Sequence, residues 1–133
     1  MSKYIEYAKK LRNDPDIHYN CAQGVLVPFA KDAGLSEKTA FDLAFNFGGG
    51  MKMGATCGAV TGGLMVLGLF GVNDVAILEV YYDLVKKRHG SLLCDDLLET
   101  ARNNNIEKKA NCDGLVYECI EIVEGILKEH GCL

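Results

Sequence analysis

Four of the six cysteines lie at or just after residues that commonly cap helices. A thiol in the first turn of a helix faces unpaired backbone N–H groups and the positive end of the helix dipole. Both lower the pKa of the thiol, and the thiolate is the form that attacks disulfides and binds metals. These four are the candidate catalytic thiols: Cys21 after Asn20, Cys57 after Thr56, Cys94 three residues after Ser91, and Cys112 after Asn111.

The neighbours of each cysteine predict different roles. Cys21 and Cys57 have no acidic neighbour, and Lys52 precedes Cys57 in a glycine-rich loop. These two are therefore the predicted nucleophiles. Aspartates follow Cys94 and Cys112 and oppose the formation of a thiolate. Those two are predicted to be resolving thiols of a thiol–disulfide oxidoreductase-like activity, or metal ligands.

Two other interpretations of the cysteines stay open. The same four side chains are candidate ligands for zinc or an iron–sulfur cluster, although no CxxC pair is present. Free cysteine is also among the most buried residue types, so the protein is alternatively a helical scaffold with cysteines in its core. In that case its apolar central helix serves as a homodimer interface. Cys119 is predicted to be structural, and no role is predicted for Cys132.

Glycine is concentrated in the middle of the chain. Nine of the 15 glycines lie within residues 48–73, where Lys52 is the one charged residue. The string GGGMKMGATCG lacks the GxxxxGK[ST] order of a phosphate-binding loop and follows no strand. The glycines are instead predicted to let the backbone pack closely around Cys57, leaving room for a partner thiol or a cluster. The candidate cofactor-binding glycines are Gly48, Gly49, Gly50 and Gly58.

The spacing of apolar residues predicts an all-α fold over residues 1–133, a single compact bundle of about five to six helices. The Gly-rich apolar segment from Thr56 to Phe70 is predicted to be the buried central helix. Its glycines and its length argue against a membrane span. Other predicted helices cover residues 4–11, residues 21–33, a segment capped by Ser36, residues 75–89, and a last segment through Cys112 and Leu127, with a short helical turn after Ser91.

Composition limits the class of protein. The chain has 133 residues, a formal net charge of −4 and a pI near 5.3. No basic stripe is present for nucleic acid, and no polybasic anchor for a membrane. The start, MSKYIEYAKK, lacks the apolar core of a secretory signal, so a cytoplasmic location with reduced thiols is expected. The expected partner is a redox protein that the sequence does not identify.

The order of the cysteines resembles the C_GCAxxG_C_C family of small redox-active proteins. Residues 57–62 read CGAVTG, which has the form CGAxxG, with Cys21-Ala22 upstream and both Cys94 and Cys112 downstream. A glycine run, Phe47–Met51, precedes this string, and Gly90-Ser91 lies ahead of Cys94. The literal order GCAxxG is not present. The resemblance covers about residues 18–125 and implies a mostly helical domain and a redox role for the four cysteines.

Overall fold

The computed structural model describes residues 2–133, and this part of the chain forms seven α-helices. The all-α prediction is confirmed, but the count of five to six was too low. The segment after Ser91, predicted as a short turn, is a ten-residue helix. The helices are α1 (Lys3–Arg12), α2 (Cys21–Ala30), α3 (Glu37–Phe45), α4 (Gly58–Leu69), α5 (Val75–His89), α6 (Cys94–Asn103) and α7 (Lys108–Glu129).

The second helix, α2, occupies the centre of the bundle. Every residue from Ala22 to Ala30 is buried, and none of them is charged. The helix packs against α1, α3, α4 and α7. The sequence prediction assigned the central position to the Gly-rich helix, and α4 does lie against α2. Several α4 side chains are only half-buried, however, so α2 is the more completely enclosed of the two.

Glycines allow α4 to approach its neighbours closely, as the spacing predicted. A Cβ on Gly62 would lie 2.9 Å from the carbonyl oxygen of Ala22, and a Cβ on Gly58 would lie 3.3 Å from the amide nitrogen of Ala22. A side chain at either position would push α4 away from α2. A Cβ on Gly54, ahead of α4, would meet the carboxylate of Asp95 instead of a backbone.

A tight turn over Gly50–Gly54 leads from the glycine run into α4. Met51 and Lys52 both adopt left-handed backbone angles, with φ of 60° and 61°. Non-glycine residues rarely take this conformation, since it costs about 1–3 kcal/mol each. Helix α6 packs on the turn and on α7, and so brings the glycine run next to Cys94.

No helix within residues 2–133 combines the length and the apolar character needed to cross a bilayer.

Candidate functional site

One cavity of about 890 Å³ is lined by all four of the predicted site cysteines. Cys21 comes from α2, Cys57 from the start of α4, Cys94 from α6 and Cys112 from α7. The bundle therefore brings four thiols that are far apart in sequence to the wall of one cavity. All six cysteines of the chain are free thiols.

Three of the four cysteines lie at the first residues of helices, but the predicted caps are only partly correct. Asn20 caps α2 through a reciprocal pair of hydrogen bonds with Gln23, and Cys21 is the first helical residue. Cys57 is itself the N-cap of α4, and Leu93 rather than Ser91 is the N-cap of α6.

The prediction for Cys112 is wrong in its local structure. Helix α7 begins at Lys108 with Glu107 as its N-cap, so Cys112 lies in the second turn and Asn111 is not a cap. The backbone N–H groups of that turn are already paired within the helix. Cys112 therefore depends on neighbouring side chains, and not on the helix end, for any stabilisation of its thiolate.

A short backbone bridge holds Cys57 next to Cys94. The N–H of Cys57 donates to the carbonyl oxygen of Leu92 at 2.8 Å, and the N–H of Cys94 donates to the carbonyl oxygen of Ala55 at 2.6 Å. These bonds flank an antiparallel pairing of Thr56 with Leu93. Because side chains alternate along extended segments, Cys57 and Cys94 project from the same side of the bridge.

Cys21 and Cys112 both line the cavity, and the interaction between their thiols shifts their pKa values in opposite directions. Hydrogen bonding with Cys21 lowers the pKa of Cys112 to about 6, against the opposing effect of burial, and the positive charges of Arg12 and Lys108 lower it further. Hydrogen bonding with Cys112, together with burial, raises the pKa of Cys21. These effects favour a thiolate on Cys112 rather than on Cys21.

The other two cysteines remain protonated at neutral pH. Burial raises the pKa of Cys57 to about 11, although the backbone N–H groups of Val60 and Ala59 act in the opposite direction. Burial also raises the pKa of Cys94, and the nearby Cys112 adds to the effect. The sequence predicted lowered pKa values at Cys21 and Cys57. That expectation is wrong because burial and the neighbouring thiols outweigh the helix ends.

Arg12 is the buried cation of the site. Its side chain is only 7% exposed, and its Nε donates to Asp113 Oδ1 at 2.7 Å. Its Nη1 donates to the carbonyl oxygen of Tyr19 at 2.7 Å. These bonds tie α1, the segment before α2, and α7 together beside the Cys21–Cys112 pair. Asp113 was predicted to oppose a thiolate at Cys112, and its negative charge does act to raise the pKa of that thiol. Arg12 and Lys109 both pair with Asp113.

The candidate glycines divide into two groups. Gly48, Gly49 and Gly58 line the cavity, whereas Gly50 lies behind it. A Cβ on Gly50 would lie 2.5 Å from the amide nitrogen of Ala55, so this position serves the backbone and not a ligand. Within residues 2–133, no three His, Cys, Asp or Glu side chains are placed so that they could hold a metal ion together.

Sequence reasoning missed three residues of the cavity. Arg12 and Lys108 come from the first and last helices, and Asn111 was assigned as a cap. Their helical positions could be predicted, but their convergence on Cys112 depends on how α1 and α7 pack against α2. Cys119, predicted to be structural, lies fully buried in the core and does not line the cavity. Burial raises its pKa to about 12.

Fold and site together define an all-helical protein in which four of the six cysteines line one cavity. The chain belongs to the family described as "putative redox-active protein (C_GCAxxG_C_C)", whose model matches residues 19–126. The resemblance stated from the cysteine order is thereby confirmed. No curated protein and no solved structure is similar enough to the chain to count as a match.

Proposed function

We propose that the protein carries out thiol–disulfide exchange, with Cys112 as the nucleophile and Cys21 as its resolving partner. The observation that carries this proposal is that Cys21 and Cys112 line one cavity together with the cations Arg12 and Lys108. Both cations favour a thiolate at Cys112, and the thiol that interacts most strongly with it is that of Cys21. The roles differ from those predicted from the sequence, because Cys112 and not Cys21 has the lowered pKa.

The reaction consumes one disulfide and forms another. The Cys112 thiolate attacks one sulfur of a substrate disulfide, which makes a mixed disulfide and releases one thiolate. Cys21 then loses its proton and attacks the Cys112 sulfur, which releases the second thiolate. The two cysteines supply two electrons to the substrate, and they are left as the Cys21–Cys112 disulfide.

Cys57 and Cys94 line the same cavity and are proposed as a second dithiol. Their common direction from the backbone bridge supports this pairing. Both sulfurs interact electrostatically with Cys112. In this proposal the Cys57 and Cys94 thiols then reduce the Cys21–Cys112 disulfide by a further exchange. Cys21 and Cys112 become thiols again, and Cys57 and Cys94 are left as a disulfide.

Redox titration with trapping of thiols tests the proposal. The full chain is equilibrated in thiol–disulfide buffers between about −180 and −320 mV, alkylated, and analysed by mass spectrometry. We expect a Cys21–Cys112 disulfide to form within this range. Cys119→Ala, which changes a buried thiol outside the cavity, is the matched control and is expected to leave the disulfide unchanged. Four thiols that keep one oxidation state throughout would overturn the proposal.

Metal analysis of the full chain distinguishes the alternative metal-binding function from thiol–disulfide exchange. Anaerobically purified protein is examined for zinc, iron and visible absorption. A stoichiometric metal that is lost on substitution of Cys21 or Cys112 would contradict the exchange mechanism, because the thiolate would then be a ligand.

A further inference from the structure

The cavity differs in charge from the rest of the molecule. The chain has a formal net charge of −4. The cavity is nevertheless lined by four basic side chains and by one carboxylate, that of Asp95; the basic residues are Arg12, Lys52, Lys108 and Lys109. Arg12 and Lys109 are paired with Asp113, so Lys52 and Lys108 are the cavity-lining cations that have no carboxylate partner within residues 2–133.

Lys52 is held at the cavity by an uncommon backbone conformation. The left-handed angles of Met51 and Lys52 bend the turn over Gly50–Gly54 so that Lys52 lines the cavity. Its Nζ lies 4.3 Å from the centroid of the Phe45 ring, which fixes the end of the side chain. Strained backbone of this kind persists where the surrounding structure maintains it, commonly at binding sites.

An unused donor lies in the same wall. Asn111 lines the cavity, and its Nδ2 is buried without a hydrogen-bond partner within residues 2–133. An unpaired buried amide costs free energy unless something accepts from it. A carboxylate or phosphate oxygen in the cavity would satisfy it, and would lie beside Lys108, one helical turn earlier on α7.

Two of the four site cysteines, including the proposed nucleophile, are set back from the surface. Cys57 is 4% exposed and Cys112 is 9% exposed, so a sulfur of the substrate must enter the cavity to reach Cys112. A disulfide on the surface of a folded protein is sterically limited in such an approach. A small molecule that carries its own negative charges fits both the depth and the charge of the space.

Resting on the proposed function, we infer that the substrate is an anionic, low-molecular-weight disulfide, whose carboxylate or phosphate groups bind Lys52, Lys108 and Asn111. The cations raise the local concentration of such a molecule and orient its disulfide toward Cys112. The exchange step is the one given above: two electrons pass from Cys112 and Cys21 to the substrate, and two small thiols leave.

The test compares disulfides of different charge on the reduced full chain. The probes are oxidised glutathione, which carries carboxylates, coenzyme A disulfide, which carries phosphates, neutral bis(2-hydroxyethyl) disulfide, and cationic cystamine. The variant is Lys52→Asn with Lys108→Gln; asparagine is chosen because it tolerates a left-handed backbone. Lys86→Gln with Lys87→Gln on the exposed face of α5 removes the same charge elsewhere.

The ratio of wild-type to variant rates cancels the intrinsic reactivity of each probe. We expect about a tenfold ratio for at least one anionic disulfide and a ratio near one for the neutral probe. The α5 control is expected to give ratios near one for every probe. The anionic probe with the larger ratio shows whether the cations bind a carboxylate, as in oxidised glutathione, or a phosphate, as in coenzyme A disulfide.

Equal ratios for all four probes, or a ratio for cystamine that exceeds the ratios for both anionic disulfides, would overturn this inference and leave the exchange function standing. If no probe oxidises Cys21 and Cys112, the proposed function fails, and the substrate inference fails with it.

Discussion

At the scale of single residues, the chemistry depends on which sulfur of the Cys21–Cys112 pair holds the proton. A helix end alone would favour a thiolate at Cys21, the first residue of α2. Cys112, however, lies near both Arg12 and Lys108, and its pKa is lowered while that of Cys21 is raised. Neighbouring charges and a hydrogen bond therefore decide the protonation, and local position in a helix does not.

The first prediction concerns the pH dependence of this pair. The thiolate of Cys112 is lost as the pH falls through about 6, so its alkylation rate should decline below that value. Cys21→Ala removes the hydrogen bonding with Cys21. We expect the midpoint for Cys112 to move upward, toward the ordinary range of a cysteine. Site-resolved mass spectrometry of iodoacetamide-treated protein measures both midpoints.

Cys119→Ala serves as the control for that experiment, because Cys119 lies in the core away from the cavity. In the Cys119→Ala protein, the pH midpoint for alkylation of Cys112 should equal that of the wild type. A Cys21→Ala protein whose Cys112 still titrates near 6 would show that the hydrogen bond is not the main cause of the lowered pKa.

At the scale of helices, close packing of α4 on α2 sets the distance between cysteines. The second prediction is that Gly58→Ala destabilises the protein by about 1–3 kcal/mol. The new Cβ would lie 2.9 Å from the carbonyl oxygen of Phe47 and 3.3 Å from the Cβ of Cys21. Urea denaturation followed by circular dichroism gives the free energy of unfolding.

Gly68→Ala in the same helix is the matched control. Nothing lies within 4 Å of a Cβ at this position, and it is exposed. There alanine should stabilise the helix by about 0.5–1 kcal/mol, because glycine loses more conformational freedom on folding. Equal free energies of unfolding for the two variants would mean that α4 and α2 move apart to accommodate the new Cβ without loss of stability.

The third prediction concerns the capping of α2. Asn20→Ala removes the acceptor for the N–H of Gln23 and the Nδ2 donor to the carbonyl oxygen of Phe45. Because these groups are buried or partly buried, we expect a loss of about 2–3 kcal/mol in the free energy of unfolding. Ser36→Ala, at the exposed cap of α3, should cost only about 1 kcal/mol by the same denaturation measurement. A smaller loss at Asn20 than at Ser36 would contradict this ranking.

The helix ends show which features of the fold could be predicted from the sequence and which could not. Asn20 and Ser36 begin helices as predicted, because their capping interactions are local. The start of α7 was missed because Glu107 makes no side-chain capping bond and so leaves no signal. The backbone bridge between Thr56 and Leu93 was missed because it joins segments that are distant in sequence.

At the scale of the whole molecule, oxidation of the proposed pair would connect two distant parts of the chain. Cys21 and Cys112 are roughly 90 residues apart, and a crosslink over that span removes much of the freedom of the unfolded state. The fourth prediction is that the oxidised protein is more stable than the reduced protein by about 4 kcal/mol. The difference appears as a higher urea midpoint for the oxidised form.

The size of that difference measures how well the crosslink fits the bundle. A crosslink without distortion gives the full stabilisation, whereas a strained one gives less and is reduced more readily. Cys112→Ser should abolish the difference between oxidised and reduced protein, and Cys119→Ser should preserve it. If the oxidised form were no more stable than the reduced form, the disulfide would form only when α2 and α7 move to bring the two sulfurs together. The reduced arrangement, with its thiolate on Cys112, would then be the relaxed state of the bundle.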